Sequence, residues 1–138
     1  MFMAGNARFL EEIANNPEYW IGDTGASTHI TMSDKGMEKL RIPEVESTVV
    51  MANGEKLAKE GIGTVKGFIV SNDGNYIGDI AITSVNVTPK AKYNLLSIIT
   101  LMRDGWKLEG KVDSLSLTKD KQKIVFDIKI PTAKEKYM

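Results

Sequence analysis

A mainly β fold, with many short strands curled into a barrel-like body, is predicted by three observations on this sequence. Asn53-Gly54 and Asp73-Gly74 each lie between extended, β-branched runs, and such pairs are the strongest short-range hairpin signal because their turns require positive φ. Residues 122–130 alternate Ile124, Phe126, Ile128 and Ile130 against Val125, Asp127 and Lys129, the period of a half-buried strand. Between Pro17 and the C-terminus, helical periodicity returns only once and briefly; the rest is punctuated by Gly, Asn and Asp.

The elements follow in order. Residues 6–15, NARFLEEIAN, carry a helical stripe of Phe9, Leu10, Ile13 and Ala14, with Asn6 as N-cap and Pro17 as the stop. YWIGDTGAS starts as a strand and breaks between Gly22 and Gly25. A hairpin with its tip at Asn53 and Gly54 comes next. A second hairpin turns near Asp73-Gly74, with Phe68, Ile69 and Val70 leading in and Ile77, Ile80 and Ile82 leading out. Ile80 and Ile82 share one parity and Val85 and Val87 the other, so a bulge or sharp bend is expected near Thr83 and Ser84. NLLSIITLMRDGW holds a two-turn helix: Ser97 caps it, Ile98, Leu101 and Met102 form its apolar stripe, and Gly105 ends it at C′. Two strands follow, DSLSLTK and QKIVFDIKI, joined by a solvated turn in KDKQK.

Composition narrows the function. The 138 residues suffice for one domain with its own core. With no cysteine, a disulfide framework, a thiol nucleophile and Cys-based metal sites are excluded. Eighteen Lys plus Arg balance eighteen Asp plus Glu, which leaves no electrostatic footprint for nucleic acid or an anionic membrane. The one histidine, His29, would have to be the base of any Ser-His-Asp triad. With no signal-peptide core and no apolar run long enough to span a bilayer, the chain reads as soluble and intracellular.

The sharpest chemical feature is DTGAS, residues 23–27. Asp23 follows an apolar strand, Thr24 supplies a hydroxyl, and Gly25 permits close backbone approach. A carboxylate in such a turn can act as general base on a water, but it cannot also be the acid that protonates a leaving amine. Peptide hydrolysis by this route takes two carboxylates sharing one proton, about 3 Å apart. The chain has one such turn, so the second carboxylate comes from another copy, or the turn is structural, since Asp-Thr-Gly is also ordinary turn material.

Spacing supplies context. About 30 residues after Asp23 comes the Asn-Gly hairpin, and about 70 after it NLLS with its helix; this order resembles the retropepsin-type aspartic proteases. The closer resemblance is to the protease of copia-type LTR retrotransposons, whose pattern W-x-x-D-[ST]-G-A-S-x-H is met by Trp20, Asp23, Thr24, Gly25, Ala26, Ser27 and His29. YNLLSIITLMRDGWKLEG resembles that family's N-L-[LF]-S segment and following G-W. The likeness runs over residues 19–131, leaving 1–18 as a helical N-terminal extension, either linker or prosegment, and 132–138 as a polar tail.

The resemblance implies a retropepsin-like closed barrel with one short C-terminal helix, and an aspartic endopeptidase active as a homodimer on the polyprotein that contains it. Asp23 would be the catalytic carboxylate. Thr24 would cross-link the two catalytic turns, Gly25 would hold the water and substrate carbonyl, and Ser27, beyond Ala26, would bond the loop or the peptide. Met51, Ala52, Asn53, Gly54 and Glu55 would tip a flap formed by residues 50–57. Ser97 stands where many retropepsins carry glycine, so the packing beneath the site would differ. No metal or organic cofactor is implied, no direct nucleic-acid or membrane binding is expected, and the setting would be cytoplasmic, within a virus-like particle. The alternative from another class is a catalytically silent or domesticated β-barrel module that binds peptide or scaffolds a particle. His29 reads as a polar strand residue bonded to its neighbours, Trp20 as core, and Met32, Met37 and Met51 as gap-fillers.

Overall fold

The computed structural model describes residues 11–51, 53–70, 76–112 and 114–126. Their β-branched, Gly-punctuated runs form eleven strands and their one capped apolar run a helix. The strands are β1 (Trp20–Asp23), β2 (His29–Thr31), β3 (Glu38–Arg41), β4 (Thr48–Val50), β5 (Lys56–Ala58), β6 (Gly61–Val70), β7 (Tyr76–Val87), β8 (Asn94–Ser97), β9 (Lys107–Lys111), β10 (Ser114–Lys119) and β11 (Gln122–Phe126); the helix α1 is Ile98–Arg103. Among the described residues no helix is long and apolar enough to cross a membrane.

Six strands make the main sheet in the order β1-β8-β2-β7-β6-β3. β1 runs parallel to β8, with Trp20 opposite Asn94 and Asp23 opposite Ser97. β2 lies between β8, antiparallel through Ile30 and Leu95, and β7, parallel through His29 and Val85. Residues 107–126 build a separate antiparallel sheet, β11-β10-β9. β4 and β5 pair as a hairpin.

The closed barrel expected from the resemblance is therefore corrected: among the described residues no sheet closes, and β1 and β3 remain the edges of the main one. The physical reason lies in the packing. Leu117 and Phe126 of the three-stranded sheet stack on Leu96, Ile98, Leu101 and Trp106, with Trp20, Ile80 and Ile82 packed alongside. Those strands thus add a layer over the helix and the main sheet instead of pairing into a ring. Leu95, the neighbour of Leu96, faces a second cluster of Ile30, Val49, Leu57 and Ala91. Successive residues of a strand point to opposite faces, so the two leucines serve two cores.

Several expectations hold. Gly63 pairs with Val85 and Val65 with Ile82, so Thr83 and Ser84 together stand opposite the single Thr64, and Ser84 has φ 56°. This is the anticipated bulge: with the extra residue, Ile80, Ile82, Val85 and Val87 fall on one face. Ser97 caps α1 and Gly105, at φ 101°, follows its C-cap Asp104. The KDKQK turn joins β10 to β11 by Asp120 and Lys121, with Lys119 opposite Gln122. Trp20, read as core, packs half-buried against the larger cluster.

Others change. Met102 is 46 % exposed, because a six-residue helix on a sheet buries only Ile98 and Leu101. The Asn53-Gly54 turn is not a two-residue loop: Met51 pairs with Glu55, its N–H bonding the Glu55 carbonyl at 2.7 Å, and three residues intervene. Gly54 closes the turn with its N–H on the Met51 carbonyl, at φ 86°, so the glycine serves as the left-handed third residue of a longer loop. Strand β2 begins at His29, read as a strand residue, whereas β3 and β9 were not anticipated; both are mostly charged, and pairing to a neighbour fixes them where apolar alternation does not. In the N-terminal helix, residues 11–13 are helical and Ile13 is buried, while Asn6, Phe9 and Leu10 lie outside the described residues. The 73–74 turn, Ile128, Ile130 and the tail also lie outside them.

Candidate active site

Asp23 ends β1 because the chain must turn there: Gly25 donates its N–H to Asp23 Oδ1 at 2.8 Å, a tight side-chain-closed turn. A Cβ on Gly25 would approach that same oxygen to 3.3 Å, so the glycine keeps the carboxylate uncrowded. Asp23 is half-buried, Thr24, Gly25 and Ser27 are exposed, and Ala26 is half-buried. The turn therefore offers one carboxylate and a run of backbone to whatever lies above it.

Beneath the turn sits the start of α1. Ser97, wholly buried, donates its hydroxyl to the Ala26 carbonyl at 2.6 Å and meets Thr100 Oγ1 at 2.8 Å, while accepting the Thr100 N–H at 3.2 Å. Thr100 Oγ1 reaches the Ser27 carbonyl at 3.3 Å. One N-cap hydroxyl thus satisfies a helix end and a loop carbonyl together. The Ser97 hydroxyl, which a glycine at this position would lack, is thus the support of the turn. Ser27 takes part through its backbone carbonyl.

His29 completes the base of the site. It is 1 % exposed, and its Nδ1 accepts the Ser97 backbone N–H at 2.9 Å. A neutral imidazole accepts through one nitrogen only, so Nε2 carries the proton, and that atom has no partner among the described residues. Burial pushes the His29 pKa below its ordinary 6.5, with the Asp104 charge pulling more weakly the other way. The reading of His29 as a bonded strand residue holds, and its partner is the residue that supports the turn.

Two asparagines were missed by sequence reasoning. Asn94 Nδ2 donates to the carbonyls of Pro17 and Tyr19, and its Oδ1 accepts from Met32 N–H and Thr31 Oγ1. It holds the entry to β1 and the exit from β2 from one fully buried position. Asn86 donates to Thr28 Oγ1 and the His29 carbonyl, fixing the far end of the loop. Asn86 is marked in the sequence only as a polar amide inside an apolar run, and Asn94 only as the first residue of the N-L-[LF]-S segment; burial without a partner would make either amide costly.

The structure brings Asp23, Ala26 and Ser27 together with Ser97 and Thr100. The proposed flap residues stand apart in their bonding: among the described residues, the hydrogen bonds of Met51, Asn53, Gly54 and Glu55 stay within the hairpin. Val49 and Leu57 anchor that hairpin, and Met51 packs half-buried, against Ile30, the residue after His29. Asn53, Gly54 and Glu55 are exposed, and Ala52 lies outside the described residues.

Fold and site together define a β-sheet domain that displays one acidic Asp-Thr-Gly turn at the end of an edge strand, supported by a capped helix. Residues 20–106, more than half of the chain, match the family described as Pol polyprotein, beta-barrel domain. The chain belongs to this family, a domain of retroelement polyproteins. The match opens at Trp20, where β1 begins, and closes at Trp106, so it takes in the turn, the hairpin and the supporting helix. Neither a curated protein nor a solved structure matches the chain.

Proposed function

We propose that the chain is the aspartic endopeptidase of a copia-type retrotransposon polyprotein, a retropepsin-like domain in which two copies share one active site. The observation that carries this reading is the turn itself: an accessible carboxylate closed by Gly25 and held from below through the carbonyls of Ala26 and Ser27. One chain supplies one such turn, and a two-fold axis sets two identical turns face to face. The paired Asp23 carboxylates share one proton. The ionised one takes a proton from water as the oxygen attacks the scissile carbonyl, and the protonated one delivers its proton to the departing nitrogen. Thr24, exposed at the top of the turn, faces the partner turn. The β4–β5 hairpin closes over the peptide and excludes water. The substrate is the surrounding polyprotein, within a cytoplasmic virus-like particle.

The test is Asp23→Asn, which keeps the shape and the acceptor for the Gly25 N–H but removes the ionisable oxygen. Wild-type dimer should cleave a peptide spanning a polyprotein junction and the variant should not. Cleavage by the variant at the wild-type rate would move the site elsewhere. A wild-type dimer that binds the peptide and leaves it intact would establish the non-catalytic barrel module instead.

A further inference from the structure

We propose that His29 is a positioning residue for the Asp23–Ser27 turn, holding it through Ser97 only while its imidazole is neutral, so that acidification releases the turn. The proposal rests on the reading of that turn as the reacting one, and it adds a regulation of the same site. The chain of contacts is short. His29 Nδ1 accepts the Ser97 N–H at 2.9 Å, and the Ser97 hydroxyl donates to the Ala26 carbonyl at 2.6 Å. Ser97 also stands opposite Asp23 in the parallel pairing of β1 and β8. A proton on Nδ1 replaces the acceptor with a second donor, and two N–H groups then face each other in a buried site.

The surroundings decide which way the ring leans. β7 presents Val85 and Asn86, both uncharged, and β8 presents Ser97. Asp104, at the C-cap of α1, is the charged group that acts on the ring among the described residues; it favours the proton but is outweighed by burial. The ring is 1 % exposed, so its proton cannot be solvated in place. Protonation must move either the ring or residue 97. Residue 97 is tied to the turn, and movement there reaches Ala26.

A dyad that must keep one shared proton therefore stands on a support that further protonation weakens. This gives the turn a lower pH boundary independent of the dyad's own proton.

The experiment uses Asp23→Asn chain, in which the turn has no titrating carboxylate, and follows His29 ring nitrogens and backbone amides by NMR from pH 8 to pH 4. At neutral pH the ring should carry its proton on Nε2. On acidification the Ser97 amide should lose hydrogen-exchange protection on the order of tenfold, corrected for intrinsic rates, as expected for one lost hydrogen bond. The Gly25 and Ser27 amides should shift with the same midpoint as the ring. In a second variant, Asp23→Asn with His29→Asn, the amide oxygen takes the place of Nδ1 and cannot be protonated in this range. Those pH-dependent changes should then disappear. Turn amides that stay still while the ring titrates would overturn the proposal, as would a ring that stays neutral in folded protein down to pH 4, or amide shifts that persist in the second variant. None of these readouts needs cleavage, so the protease reading stands or falls separately on wild-type protein and its junction peptide.

Discussion

Asp23 and Ser97 are direct partners across the parallel pair β1 and β8, the first closing the acidic turn and the second capping the helix beneath it. Strand pairing therefore sets the distance between the candidate reacting group and its support, and loop conformation has only to fill the gap.

Ser97→Ala removes the donor to Ala26 and the cap acceptor for Thr100 at once. The lost cap costs about 1 kcal/mol, and the half-buried Ala26 carbonyl left without its donor costs about another 1–2 kcal/mol. Calorimetry should show Tm lowered by roughly 10 °C, using about 4 °C per kcal/mol for a domain of this size. Ser97→Thr, which keeps the hydroxyl, should lose less, and an unchanged Tm in the alanine variant would remove the support role.

Asn94→Leu keeps the approximate volume and deletes four hydrogen bonds around β1 and β2. We expect destabilisation of about 3 kcal/mol or more, since buried groups lose partners they cannot replace with water. A urea denaturation curve with its midpoint within error of wild type would contradict this.

Gly54→Val places a β-branched residue at φ 86°. No atom lies within 4 Å of the added Cβ, so the penalty is backbone strain, about 1–3 kcal/mol, and not a clash. If the hairpin is the flap, the variant should raise KM and lower kcat together; Gly54→Asn, which tolerates positive φ, should do so less. Kinetics unchanged in both would detach the hairpin from the reaction.

Stability should fall on the acid side of His29's ordinary pKa. Burial depresses the folded-state value below 6.5, so between the two values the unfolded chain binds the extra proton and acid favours unfolding. This contribution is fully present above pH 6.5 and declines as pH drops through and below that point. Comparing the urea midpoints of wild type and His29→Asn at pH 7.5 and pH 5 isolates it: the wild type should lose more. Equal losses would mean that His29 titrates alike in both states.

Specific activity should depend on concentration. If one site is built from two chains, as proposed, dilution below the dimer dissociation constant must reduce activity per chain. Excess Asp23→Asn chain should poison wild type by forming one-carboxylate heterodimers. Constant specific activity at a dilution where sedimentation finds only monomer would require a second carboxylate within one chain.

The sequence made legible whatever depends on neighbours in the chain. The Ser97 cap, the Gly105 terminator, the bulge at Thr83 and Ser84 and the alternation at Ile124 and Phe126 all follow from local sterics or parity. The Asp23 turn was found by its motif and its strand-end position. What escaped depends on distant partners. Asn94 is an ordinary amide until Pro17, Tyr19 and Met32 surround it, and the Ser97 link to Ala26 spans 71 positions. Charged β9 is a strand because β10 pairs with it. Sheet closure is set by how layers stack, which alternation within single strands does not encode.

The bulge in β7 also makes that strand a ruler. Below it, Ile80 and Ile82 count from the hairpin tip; above it, Val85 and Asn86 count toward His29 and Thr28. Deleting Thr83 or Ser84 would remove the extra residue and the bulge together and leave Ile80, Ile82, Val85 and Val87 on one face of a regular strand, whereas inserting one residue between Ile82 and Val85 would carry Val85 and Val87 to the opposite face. Single-residue insertions among descendants of this chain should therefore gather at the hairpin tips and be purged from the middle of β7, where a single deletion is the change the register absorbs. Insertion and deletion scans read out by soluble yield would separate the two cases: insertion between Ile82 and Val85 should abolish yield, and deletion of Thr83 or Ser84 should cost far less.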